Sequence, residues 1–277
     1  MQKRAGLAET VAKTYHVFPA DKGKRRIRMK YEYRKTFDIS YSRCGRNMRL
    51  SPENAFSMVQ DMNTEYFESF GSDNVSIKGK NNALWVITKT RLHFIDIPKW
   101  GERIEARSAT VSSRGFRTEI GTLFCRDGEP VLVAKQELFI IDASSREPRR
   151  IESISYPKDM ETEPETLALS FFRLKEDFSA EEPVHRGVFG YSDIDYSRHV
   201  NNVMYARHLT DALAPYLADD RTIRDFEIQY RHECLENAAF EVFCRQSAPD
   251  AVDLQLRSGG FEAVDARIVF DVLLKNS

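Results

Sequence analysis

The chain runs through one plan twice, and that plan leaves few folds open: a short strand, one helix, then a run of long strands with no helix between them. In the first half Tyr31–Ile39 reads as a strand. Ser51-Pro-Glu-Asn54 then opens a helix, with Ser as N-cap, Pro at the first helical position and Glu in the first turn. Ala55, Met58, Val59, Met62, Tyr66 and Phe67 follow at helical spacing, and Gly71 should end the helix. The period then changes: Leu84–Ile97, Ile104–Thr110, Gly115–Phe124 and Val131–Ile141 read as strands, with Arg126-Asp-Gly-Glu-Pro130 as a hairpin turn.

The second half repeats the order. Gly187–Tyr191 is a strand, Asn202–Leu217 a helix, and Thr222–Tyr230, Ala239–Gln246, Val252–Arg257 and Ala263–Leu274 are strands. Consecutive strands pair antiparallel, and each set needs an apolar cover. The expected class is therefore α+β: two tandem units, each an antiparallel sheet wrapped around one long helix. We set the boundaries at 1–29 for an N-terminal extension, 30–142 for the first unit, 143–183 for a linker and 184–277 for the second unit. The linker is rich in acids and holds Pro148, Pro157, Pro164 and Pro183, with Leu167–Leu174 as a short packing element.

Bulk properties narrow the function. The net charge of −1 over 277 residues argues against a nucleic-acid or membrane partner held by charge alone. No apolar run approaches the ~20 residues of a membrane helix. Cys44, Cys125, Cys234 and Cys244 form no CxxC pair, so free thiols in a reducing cytosol are expected.

The halves align directly. Tyr41-Ser42 matches Tyr191-Ser192, which sets Arg49 against His199 and Ser51 against Asn201. Leu92–Lys99 matches Ile228–Leu235, which sets Ile97-Pro98 against Glu233-Cys234. The first half therefore lacks counterparts of His199 and Glu233, and the chemistry is expected in the second half alone, with the first shaping the binding cleft.

Asp193, Asp195, Ser197 and His199 fall at alternate positions just before the second helix. On an extended segment they would share one face. An EF-hand loop counted from Asp193 would need glycine sixth and an acid twelfth, where Arg198 and Met204 stand. Gly190-Tyr-Ser-Asp-Ile194 lacks the second glycine of a serine-hydrolase elbow. An Asp-x-Asp phosphatase would need alternating βα units and a metal. A purely structural role as helix cap also fits Asp and Asn here, as it does for Glu233-Cys234 at a strand end.

The stretch Asp193-Ile-Asp-Tyr-Ser-Arg-His-Val-Asn-Asn-Val-Met-Tyr205 resembles the active-site segment of the plant and bacterial acyl-acyl carrier protein thioesterases. Leu84–His93 with Ile97-Pro-Lys-Trp-Gly-Glu102, and Tyr230-Arg-His-Glu-Cys234, resemble two further motifs of that family in the same order. The resemblance runs from about residue 30 to the end and implies two tandem hotdog folds. It implies hydrolysis of fatty acyl-acyl carrier protein to free fatty acid, with neither metal nor cofactor. By position it makes Asp195, His199 and Glu233 the catalytic acid, histidine and glutamate, and Cys234 a residue of disputed role. Ser197 stands where the family has asparagine. Asp195 would fix the His199 tautomer, and backbone amides near Val200, Asn201 and Asn202 would bind the thioester carbonyl. An acidic carrier protein would meet a basic surface at Lys22–Arg28, Arg114 with Arg117, or Arg149-Arg150. Coenzyme A as leaving group, and acyl binding without hydrolysis, stay open, as does pairing into a homodimer. The N-terminus lacks a secretory or plastid-type segment, so the expected location is the bacterial cytoplasm.

Overall fold

The computed structural model describes residues 31–157, 169–174, 177–213 and 221–272. The basic run Lys22–Arg28, residues 214–217 of the expected Asn202–Leu217 helix and residues 167–168 of the expected Leu167–Leu174 element lie outside them. Two compact units emerge. Among the described residues, the first comprises those up to Ser51, Met58–Ile87 and those of Ile95–Ser170; the second comprises Pro52–Ser57, Thr88–Phe94 and those from Phe171 onward.

In the first unit the strands are β1 (Tyr33–Asp38), β2 (Ala83–Phe94), β3 (Arg103–Arg114), β4 (Arg117–Arg126) and β5 (Glu129–Asp142). They lie in the order β1-β3-β4-β5-β2, with β2 contributing Ala83–Ile87. The long antiparallel ladders join β3 to β4 and β4 to β5. The β4–β5 turn uses Asp127 and Gly128, both at positive φ, as the Asp-Gly pair requires of a tight hairpin.

Helix α1 (Pro52–Glu68) begins at Ser51 as expected, although the Ser51 side chain makes no capping bond. Met58, Val59, Met62 and Tyr66 are buried. Asn63, on the same helix, sits in a buried polar network. Its Oδ1 accepts from Ser108 Oγ and Thr122 Oγ1, each at 3.1 Å, and its Nδ2 donates to Gln136 Oε1 at 2.6 Å. All four residues are buried, and each hydrogen bond repays desolvation only with its partner present. One helix escaped the sequence reading: α2 (Asn74–Asn81), where Asp73 caps the Val75 and Ser76 amides. Gly79 and two lysines obscure its apolar period.

The second unit takes Thr88–Phe94 of β2 and adds β6 (His185–Val188), β7 (Arg221–Tyr230), β8 (Ala239–Ala248), β9 (Ala251–Ser258) and β10 (Phe261–Val272). Their order is β2-β7-β10-β9-β8-β6. Helix α3 (Asn202–Ala212) buries Val203, Tyr205, Ala206 and Leu209.

Strand β7 alternates by face. Phe226 and Ile228 join the apolar core, while Asp225 and Glu227 alternate with them and are buried too. The cover over Glu227 comes from residues 171–174, part of the stretch expected to cross the surface as a connector. Phe172 N–H donates to Glu227 Oε2 at 2.8 Å, and Gln229 Nε2 donates to Phe172 O at 3.1 Å. The Arg91 guanidinium lies 3.7 Å from the Phe172 ring centre. No helix or strand forms at 171–174; polar and cation–π contacts hold the segment down.

Candidate active site

Two loops of the second unit build the site. The first leads into α3 and is a turn, not an extended wall. A short 3-10 turn spans Tyr191–Asp193, Ile194 bridges to Val200, and Arg198 takes φ 66°. Asp195 N–H donates to His199 O at 2.9 Å, and Arg198 N–H donates to Asp195 O at 3.0 Å. The second loop follows β7. Val200 N–H donates to Cys234 O at 2.9 Å, and this clamp brings the two loops together.

The result is one pairing of chemical consequence: His199 Nε2 lies 3.3 Å from Glu233 Oε2. The two side chains are 32% and 41% exposed, open enough to meet water and substrate. Around them Tyr191, Tyr196 and Leu235 are exposed apolar residues. The motif reading overlooked these three; their signal is large apolar side chains inside otherwise polar turns.

The other expected residues are placed differently. The alternation of Asp193, Asp195, Ser197 and His199 does not put them on one face, because the chain turns between them. Asp193 is buried, and its Oδ2 accepts from Gly190 N–H at 2.8 Å. Asp195 Oδ1 accepts from Ser197 N–H at 2.7 Å, an Asx turn. The hydrogen bonds of Asp195 therefore hold the turn, and none reaches the His199 ring. The amide of Ser197 is its hydrogen-bonding group; the residue is exposed. Of the three amides expected to bind a carbonyl, Val200 is engaged with Cys234 O and Asn201 donates to Asp193 O at 2.8 Å. Asn201 Oδ1 in turn caps α3 by accepting from Val203 N–H at 3.0 Å.

Cys234 is buried at 5% exposure, and its N–H donates to the Tyr205 hydroxyl at 3.1 Å. Burial and the adjoining Cys234 thiol push the Tyr205 phenol well above its ordinary range, so it stays neutral and serves as a fixed polar pin. A buried, pinned cysteine packs as a small apolar residue. We expect Cys234→Ala to keep most activity of the site while destabilising the fold. Loss of activity comparable to that of a Glu233 variant, at unchanged Tm, would instead make Cys234 a nucleophile.

The first unit repeats this loop bond for bond. Cys44 bridges to Leu50, Gly45 N–H donates to Arg49 O at 2.9 Å, Leu50 N–H donates to Pro98 O at 2.8 Å, and Met48 takes φ 58°. At the His199 position Arg49 Nη1 donates to Ile97 O at 3.1 Å. The backbone device is thus present twice, and the imidazole–carboxylate pair once.

Two sheet-and-helix units, one of them bearing a solvent-facing His–Glu pair beside its helix, define a tandem hotdog protein. The chain belongs to the acyl-ACP thioesterase family: the model of that family's N-terminal domain matches residues 30–155, and the model of its C-terminal domain matches residues 179–271. Among solved structures, an acyl-ACP thioesterase from Bacteroides thetaiotaomicron is 18% identical, covering 87% of this chain and 98% of that one, with a TM-score of 0.75. The 12:0-ACP thioesterase from Umbellularia californica is also 18% identical, with the same coverage and a TM-score of 0.73. A chloroplastic palmitoyl-acyl carrier protein thioesterase of Arabidopsis thaliana is 22% identical over 73% of this chain and 52% of its own length. The chain thus spans about half the length of the curated relatives it matches.

Proposed function

We propose that this protein hydrolyses the thioester of a fatty acyl-acyl carrier protein, releasing free fatty acid and carrier protein and so ending chain elongation. The 3.3 Å contact between His199 and Glu233, in a chain of this family, carries the reading. Thioester hydrolysis needs a base for water and a donor for the oxyanion. Glu233, working with His199, takes a proton from water as the water oxygen bonds to the carbonyl carbon. The Asn202 N–H stabilises the resulting oxyanion; helix geometry leaves a first-turn amide without an intrahelical partner. Collapse of the intermediate breaks the C–S bond, and His199 returns the proton to the departing thiolate. Asp195 acts through the backbone, holding the turn that aims His199. Ser197 replaces the family's asparagine beside the attacking water.

The carrier protein meets the rim formed by Tyr191, Tyr196 and Leu235, with Arg198 exposed on the same turn. The basic candidates elsewhere are partly engaged: Arg117 pairs with Glu137 at 3.1 Å and Arg149 with Asp142 at 3.5 Å. No helix among the described residues is long and apolar enough to cross a membrane, and the four free cysteines suit a reducing bacterial cytoplasm.

The test is thiol release from one acyl chain on two leaving groups. The reading expects a higher kcat/KM with the carrier-bound ester than with the coenzyme A ester. The reverse order would make the protein an acyl-CoA thioesterase, and no thiol above background with either would leave an acyl-binding protein. If charge guides docking, KM for the carrier-bound substrate rises with salt; a flat response removes the electrostatic component.

A further inference from the structure

Beneath the loop that carries His199 lies a second imidazole beside a carboxylate. Asp193 ties the loop together at two points: its Oδ2 accepts from Gly190 N–H at 2.8 Å, and its carbonyl accepts from Asn201 N–H, the N-cap of α3. His208, two turns along α3, places Nε2 at 3.7 Å from that same Oδ2. This is too long for a hydrogen bond. Nε2 is buried and makes no hydrogen bond among the described residues. The rings of Phe240 and Phe189 stand 4.6 Å and 5.4 Å from the imidazole. Gly187 leaves room for Phe240, since a Cβ there would fall 2.5 Å from the ring. A buried polar atom without a partner costs stability and calls for an explanation.

The first unit supplies a contrast. By the same alignment Arg43 holds the position of Asp193 and Met58 that of His208. The backbone bond survives there, from Ser51 N–H to Arg43 O at 3.0 Å, yet no acid–imidazole pair exists. The pair accompanies the unit that holds the chemistry.

We propose that Asp193 and His208 form a proton-linked support for the active loop, with His208 as a positioning residue whose charge decides how the loop presents His199 and Glu233. This rests on the hydrolase reading above. With His208 neutral, Asp193 belongs to Gly190 and the loop holds the geometry described. A proton on His208 draws the Asp193 carboxylate across the gap toward a charge-assisted bond of about 2.7–2.9 Å. That displaces Oδ2 by close to 1 Å and loosens its hold on Gly190. The charged and titratable groups facing His208 are Asp193 from the loop, Arg207 and Asp211 from its own helix, and His185 from β6. Burial favours the neutral ring; Asp193 and Asp211 oppose it, and burial prevails, so the imidazole gains its proton only below the usual histidine range. The loop is therefore in order at neutral pH, and kcat falls as acid protonates His208.

The deciding measurement compares kcat against pH for wild type and His208→Gln, whose amide cannot titrate. We expect the acid limb to weaken in the variant. At the acid end of the profile its kcat should exceed wild type by up to about tenfold, since a misplacement of about 1 Å costs up to about 10²-fold, while KM is unaltered and the two kcat curves converge as pH rises. Superimposable acid limbs would overturn the proposal. Independently of activity, NMR titration of the His208 ring should move to lower pH in Asp193→Asn; an unmoved titration sinks the pair. If wild type hydrolyses no thioester, the hydrolase reading fails, and the NMR titration still judges the pair.

Discussion

Glu233→Gln lowers kcat for acyl-thioester hydrolysis by about 10²–10⁴-fold, the usual share of a positioned general base, with little change in KM. The amide keeps the size and one acceptor oxygen but cannot take a proton from water. His199→Ala should fall in the same range, because the two groups face each other at 3.3 Å and, in the proposed scheme, act on the same proton. The double variant should be little worse than either single one, as residues working as a unit are strongly non-additive. Steady-state kinetics of the three variants decide this. Losses that multiply would mean that His199 and Glu233 act in separate steps, and the water-activation scheme would have to be abandoned. The exposed turn should tolerate both changes, so the Tm is expected to stay near wild type.

The second large effect lies away from the chemistry, at Asp225. This carboxylate is 4% exposed and accepts from Arg91 Nη2 at 2.7 Å, with His93 Nδ1 at 3.0 Å from the same oxygen. Burial alone would push its pKa up, but the hydrogen bonds and charges of His93 and Arg91 outweigh burial and hold it down at about 2. Asp225→Ala leaves the buried Arg91 guanidinium without its anion, and breaking such a pair costs about 3–5 kcal/mol. The sign of the pH dependence follows. The folded pKa is below the unfolded value of about 3.9, so this contribution, about 2 kcal/mol, is complete above that value and is lost as pH falls toward 2. Urea unfolding of wild type and Asp225→Asn should therefore show a stability gap at neutral pH that closes in acid. A gap constant with pH would mean that packing, not charge, is what Asp225 supplies.

These two sites differ in how readable they were. The Asp195–His199 loop is local: its turn, its positive φ and its helix start all arise within a dozen residues, and the same backbone pattern recurs 150 positions earlier around Gly45–Arg49. An alignment of the halves could locate it and could separate the copy with His199 and Glu233 from the copy without. Asp225 and Glu227 look like the solvent face of a half-buried strand, since polar residues at period two usually are. The cover over Glu227 comes from Phe172, more than fifty residues earlier, whose segment has no periodicity to announce it, while Asp225 is enclosed with Arg91 and His93, more than a hundred residues away. His208 likewise reads as a polar position on α3, and only Phe189, Phe240 and Asp193 closing around it make it a buried group.

What the sequence determined by itself is the duplicated plan, the succession of strands and helices, and the short list of polar side chains able to do chemistry. Those are encoded in spacings of a few residues, where period, caps and turn residues act directly on the backbone. Tertiary structure decided which of the listed groups meet. It turned the chain at Asp195 so that this carboxylate caps Ser197 instead of facing His199. It tied Val200 to Cys234 and so set Glu233 against His199, and it buried Asp225 among cations. The turn at Asp195 is local, closed between residues two apart; the Val200–Cys234 clamp and the burial of Asp225 depend on contacts between segments far apart in the chain, and side-chain direction there is settled only once those segments are in register.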